Sequence, residues 1–270
     1  MRKKKKNQKQ QEEAIKWITI SVIFLIFVIS VGIYEIRTDT DYRVRSRTST
    51  LVKRQKNNLA DKKTVGWLRV QGTNIDLPIL YAPDYNFTYE TEDFAWTEAD
   101  YSKLNNIVYI SGHNIKNLST HPLVRNKNHR RFEQLMSFAY YDFAKDNQFI
   151  QYTFNEKDYV YRIFAVTFFD GSDLDVYNKK EYSTEKMKKY LADLKDSTLY
   201  DYNVDVNEND KIISLDTCTN IYGESNNIHF VVVGRLLRDK EKIKLNKVNK
   251  TQEYINFQTV MRGGDSDDEA

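Results

Sequence analysis

The sequence predicts a mainly β fold, a mixed or largely antiparallel barrel with a few peripheral helices. Short apolar runs of strand-forming residues recur from Val65 onward, with one well-marked stretch of helical periodicity among them. Tyrosine (19) and phenylalanine (14) are abundant while glycine (9) and proline (3) are scarce. Aromatic rings pack well across strands, and so little Gly and Pro argues against long flexible linkers. A hydrophobic content of 40% in 270 residues is enough for one large or two small domains with a real core.

Taken in order, residues 1–16 form a basic head carrying Arg2, Lys3, Lys4, Lys5, Lys6, Lys9 and Lys16. Residues 17–34 (WITISVIFLIFVISVGIY) contain no charge and, at about 1.5 Å rise per residue, cover most of a bilayer core. Trp17 and Tyr34 bracket the run as interfacial aromatics do. The run is long for a signal peptide, and Gly32-Ile33-Tyr34-Glu35 offers no small-x-small cleavage site, so a retained anchor is expected. Arg37, Arg43, Arg45, Arg47, Lys53 and Arg54 follow the span, but the cluster before it is denser. That bias keeps the head cytoplasmic and puts the rest of the chain outside. Residues 35–64 are polar and read as a stalk or an N-terminal helix.

The folded domain is expected over 65–238. Val65–Val70 and Ile75–Leu80 read as strands around the turn Gly72-Thr73-Asn74. Further strands are expected at Asn106–Ile110, Gln148–Phe154, Tyr159–Phe168, Lys211–Cys218 and Ile228–Leu237. A helix follows the cap Ser183, with Met187, Tyr190, Leu191 and Leu194 on one face and lysines on the other. Residues 239–270 are lysine-rich and then acidic, and are expected to be a solvated, partly disordered tail.

Net charge is only +3, which gives no nucleic-acid footprint, and no glycine-rich phosphate loop is present. Four unpaired histidines and one cysteine do not make a zinc site, so neither metal nor cofactor is expected. The chemistry centres on Cys218, the sole cysteine, at the end of Ile212-Ile213-Ser214-Leu215-Asp216-Thr217-Cys218-Thr219. It cannot form an internal disulfide, and outside the cell a thiol is open to oxidation. A buried cysteine serving as a small hydrophobe is the plain alternative; its position at a strand end favours a nucleophile. Of the histidines, His113 directly follows a strand in Tyr109-Ile110-Ser111-Gly112-His113-Asn114, where Gly112 permits a tight bend. His121 and His129 lie in a polar, basic loop. His113 is therefore the expected base.

Gly112-His113-Asn114, Leu215-Asp216-Thr217-Cys218 and Phe230-Val231-Val232-Val233-Gly234-Arg235 resemble the signatures of the sortases, membrane-anchored cysteine transpeptidases of Gram-positive bacteria. Val65-Gly66-Trp67-Leu68, Gly72 to Pro78 and the helix before the cysteine strand are most similar to class B. The resemblance covers about Val65 to Leu237. It implies an eight-stranded β-barrel and a ping-pong acyl transfer on an LPxTG-like sorting signal, cleaved after Thr through a Cys218 thioester. The implied partners are a surface protein or pilin bearing that signal, and an amine acceptor: a peptidoglycan precursor or a pilin lysine. His113 would protonate the leaving amine and deprotonate the incoming one. Thr217 would lie beside the oxyanion, and Asn74, Leu77, Tyr177 and the loop 219–227 would line the peptide groove.

The chain departs from the family where an arginine is expected at the start of the last strand. His229 occupies that place. Arg235 lies six residues on, about 20 Å away along a strand. Three readings stay open: His229 replaces the arginine as a titrating donor, a different chain path brings Arg235 in, or another arginine enters. The first predicts weakened activity at alkaline pH, since histidine titrates near 6.5. A hydrolase would use the same residues with water as acceptor. A catalytically degenerate, anchored peptide-binding domain is the non-enzymatic alternative.

Overall fold

The structure, a computed structural model, describes residues 2–38, 64–81, 95–97, 103–114, 131–155, 157–171, 181–222 and 227–264. His121, His129, Tyr177 and most of the proposed stalk lie outside them. A single helix runs Arg2–Thr38, and its Gln11–Gly32 portion has a mean hydropathy of 2.4 with its side chains exposed. It is long and apolar enough to cross a membrane.

Eight strands close a barrel in the order β1-β2-β3-β4-β8-β9-β6-β5. They are β1 Thr64–Val70, β2 Asp76–Tyr81, β3 Ala95–Thr97, β4 Ile107–Gly112, β5 Phe149–Phe154, β6 Lys157–Asp170, β8 Ile212–Thr219 and β9 Ile228–Leu236. The pairs β2–β3 and β4–β8 are parallel and the others antiparallel. The barrel and seven of its strands follow the sequence pattern. β3 does not, because three residues are too short to show an alternation. The turn between β1 and β2 holds Gly72 at φ +79°, a conformation that glycine adopts without steric cost.

Alternation along β8 sorts its side chains onto two faces. Ile213 and Leu215 join Leu68, Ile79, Ile110, Tyr152 and Phe230 in the barrel interior, which also receives Phe132, Leu135 and Phe138 from the 3-10 segment Arg131–Ala139. Ile212 faces outward with Ile107, Tyr109, Val231 and Val233, and meets Met187, Tyr190 and Leu194 of the helix Thr184–Ser197. That helix begins as the sequence predicts. Ser183 Oγ accepts from the Lys186 amide at 3.2 Å, and the i, i+3, i+7 face is buried. Each of those three side chains contributes about 1.5–3 kcal/mol through burial.

The segment after Arg238 differs from the solvated tail expected of it. Ile243, Val248 and Phe257 are buried. A short β10, Asn249–Lys250, pairs with β7, Tyr200–Asp201, and leads into the helix Gln252–Gly264. Net charge in this stretch hid a few well-spaced apolar residues that suffice to dock it.

Candidate active site

Strand direction builds the site. β8 runs parallel to β4 and antiparallel to β9, so the ends of β4 and β8 share one barrel edge with the start of β9. Ser111 of β4 is level with Asp216 of β8, which carries His113, two residues on, to the level of Cys218. On the other flank Cys218 is directly opposite His229. The thiol therefore lies between His229 on β9 and the chain that leaves β4 with His113, and it is exposed.

The Cys218 Sγ lies 4.0 Å from His229 Nε2. His229 Nδ1–H donates to Asp216 Oδ1 at 2.8 Å, and Asn227 Oδ1 lies 3.3 Å from Nε2. Asp216 is 4% exposed, and its second oxygen accepts from Ser111 Oγ at 3.2 Å. Burial of His229 by itself disfavours the charged ring. The hydrogen bonds and charges of Asp216 and Cys218 outweigh it and raise the imidazole to about 10. At neutral pH His229 is thus a cation beside the thiol.

His113 rests against Trp96 of β3, with ring centroids 4.7 Å apart. Asn114 Nδ2 donates to the Cys218 carbonyl at 2.9 Å, which ties the chain after β4 to the end of β8. Gly112 is an extended strand residue, not the bend suggested by the sequence. It is small because a Cβ there would come within 2.2 Å of the Phe132 ring.

The remaining sequence-predicted residues fall in several places. Thr217 is 1% exposed and its hydroxyl donates to the Gly112 carbonyl at 2.7 Å, so the side chain faces inward and ties β8 to β4. The start of β2 is on the same barrel edge as the thiol, since β2 runs antiparallel to β4 by way of β3. Asn74 precedes it, with its amide donating to Gln134 Oε1 at 2.7 Å, while Leu77 is wholly buried. Arg235 is not at this edge. It pairs with Ile212 at the other end of the β8–β9 ladder, 3% exposed, and is bound by both oxygens of Glu241 at 2.7 and 2.8 Å. No path through a bulge brings it to Cys218, because the β8–β9 register is unbroken between them.

Asp216 is the group beside the thiol that the sequence reading passed over. Its signal was there: an acid within an apolar strand, two residues from the cysteine and so on the same face. Its partner could not be read, because the β8–β9 register is set by a connection with no two-residue turn signature. Among the described residues, no group of three or more His, Cys, Asp or Glu side chains is arranged to hold a metal ion.

Comparison with known proteins agrees with this fold. No family model matches the chain. A sortase B of Listeria monocytogenes is 29% identical over 169 residues, covering 58% of this chain and 63% of the relative, so the match spans a little under two thirds of that protein's length. Among solved structures, Clostridium perfringens sortase B is 26% identical with a TM-score of 0.53, covering 68% of this chain and 97% of that one. A Staphylococcus aureus sortase B–substrate complex has the same fold at 20% identity and a TM-score of 0.52, covering 73% and 87% respectively.

Proposed function

We propose that this chain, a class B sortase by sequence and by fold, is a membrane-anchored cysteine transpeptidase. The observation that carries the reading is the exposed Cys218 thiol at the barrel edge, opposite His229 on one flank and beside the chain that leaves β4 with His113 and Asn114 on the other. The apolar Gln11–Gly32 helix supports anchorage, with the basic head cytoplasmic and the barrel outside.

In the first half-reaction the Cys218 thiolate attacks the carbonyl carbon of the Thr in an LPxTG-like sorting signal. The carbonyl π electrons move to oxygen, and the resulting oxyanion collapses by expelling the amine of the following residue. His113, as imidazolium, gives that amine its proton, which leaves a Cys218 thioester and a released C-terminal fragment. In the second half-reaction the neutral imidazole takes a proton from an incoming amine as it attacks the thioester, and the Cys218 thiolate leaves. The acceptor is a peptidoglycan amine or a pilin lysine. His229 donates through Nε2–H to the oxyanion in both halves, where one such donor is worth about 10²–10³ in rate. The peptide lies along the edge made by the start of β2 and the ends of β4 and β8. Asn74 stands at that edge, and the buried Leu77 supports it from beneath.

The test presents sorting-signal peptides and hydroxylamine, a surrogate amine, to the full-length chain in lipid nanodiscs. Mass spectrometry is expected to find a peptide hydroxamate, whose formation Cys218→Ala and His113→Ala each reduce by at least about a thousandfold. A folded protein that binds peptide equally well with Cys218→Ala and makes no hydroxamate would instead be a peptide-binding domain. Hydrolysis that added amine leaves unchanged would make it a hydrolase.

A further inference from the structure

We propose that Asp216 is a positioning residue for this site: its carboxylate fixes the orientation of His229 and supplies the counter-charge that keeps the ring a cation facing Cys218. This rests on the transpeptidase reading for its consequence in catalysis, but not for its physical content.

Three strands converge to make the device. Asp216 is on the outer face of β8, two residues before the thiol and sharing its face. His229 on β9 reaches it diagonally across the ladder, with Nδ1 2.8 Å from Oδ1. Ser111 on β4 occupies Oδ2 from the other side. A carboxylate held by both neighbours cannot swing away, and with Nδ1–H committed to it the ring must present Nε2–H outward. That nitrogen is the one 4.0 Å from Sγ. Second-side partners of an imidazole set its tautomer, orientation and basicity in this way.

Among the described residues, the charged groups that act on the ring are Asp216 and Cys218. Asp216 and Cys218 stand on β8, and Asp170 closes β6 one residue beyond Phe169, the cross-strand neighbour of His229. On the helix, the Tyr190 phenol donates to Ser214 Oγ, and burial raises its own pKa, so it stays neutral. His113 follows β4 on the far flank of Cys218. Asp170 pairs with Ile228 and so alternates to the other face, which leaves Asp216 as the carboxylate in direct contact with the ring. An arginine at position 229 would need no such partner to stay charged; a histidine does.

The test uses the full-length chain in nanodiscs with ¹³C-labelled histidine, four sites in all, the His229 signal being assigned by its loss in His229→Gln. His229 is expected to titrate near 10 in the native chain. In Asp216→Asn, which keeps an acceptor but removes the charge, it should return to about 6.5 or below. Hydroxamate formation by Asp216→Asn at pH 8.5 should fall about a hundredfold, with the alkaline limb of its pH profile moving down to about 6.5. In a His229→Arg background the same substitution should cost no more than about threefold, since arginine is charged unaided. A native His229 that titrates near 6.5 overturns the proposal, whatever the fold of the variants. So does an equal loss in the histidine and arginine backgrounds, which would make Asp216 structural only. The titration is read without turnover, so a chain with a high-titrating His229 and no transfer activity would sink the transpeptidase reading and leave the Asp216–His229 pairing standing.

Discussion

Burial at His229 opposes the charged ring, yet bonds to Asp216 and Cys218 raise its pKa to about 10. Residue type alone places its titration near 6.5, where the proposed oxyanion role would weaken at mildly alkaline pH; the pairing moves the titration of this ring to about 10. The same shift is a statement about stability. A folded-state pKa above the unfolded one means the pair's contribution is complete below 6.5 and disappears as pH rises through about 10. Thermal unfolding of the native chain between pH 7 and 10 should thus show a midpoint that drops with pH, and His229→Gln should flatten the slope. Parallel slopes in the two proteins would contradict the pairing. Neighbouring small residues matter in a different way. Gly112 keeps the chain close to Phe132 just before His113, so its role is close packing and not backbone freedom.

At the scale of elements, the two ends of the β8–β9 ladder do different work. One end presents Cys218 and His229; the other is closed by Glu241, which accepts from Arg235 on β9 and from Arg162 on β6. Arg162 also donates to the carbonyls of Lys242 and Lys244, stitching the chain after β9 onto the barrel. Partial burial works against the Glu241 charge, but hydrogen bonds from Arg235, the Arg238 amide and Arg162 hold it down at about 2. Its contribution is present above 4.5 and lost as pH falls through about 2. Glu241→Gln should cost about 2–3 kcal/mol at neutral pH, less than a fully buried pair because the carboxylate keeps some solvent contact. Chemical denaturation checks this, and a variant as stable as the native chain would show that the arginines find other partners. Arg235 thus has a structural place far from the thiol. Sequence spacing put it on the same strand face as His229, but could not say that a carboxylate at 241 would claim it.

For the whole molecule, strong periodicity made the barrel legible. Seven strands and the Ser183-capped helix carry enough residues for alternation or an i, i+3, i+4 face to show. The places of Cys218 and His113 at strand ends were legible too, because each follows or ends an apolar run. Elements of two or three residues were not, and neither was the docking of 239–264, where burial depends on isolated side chains such as Phe257. Phe257 meets Phe168, which in turn meets Phe230 on the strand that carries His229 and Tyr222 in the connection after the thiol. Phe257→Ala should destabilise the barrel by about 3 kcal/mol. A melting curve unchanged by that substitution would return 239–264 to the status of a solvated tail.

In the proposed function, Cys218 carries an acyl group between two amines. As the only cysteine in 270 residues, it gives an adduct that intact-mass and peptide mapping can assign without ambiguity. Full-length chain mixed with a sorting-signal peptide and quenched in acid should show a thioester at Cys218 with the mass of the peptide up to its Thr. Hydroxylamine should discharge it to the hydroxamate. A folded chain that binds the peptide but never gains that mass, across the whole pH range in which His229 is charged, would contradict the account.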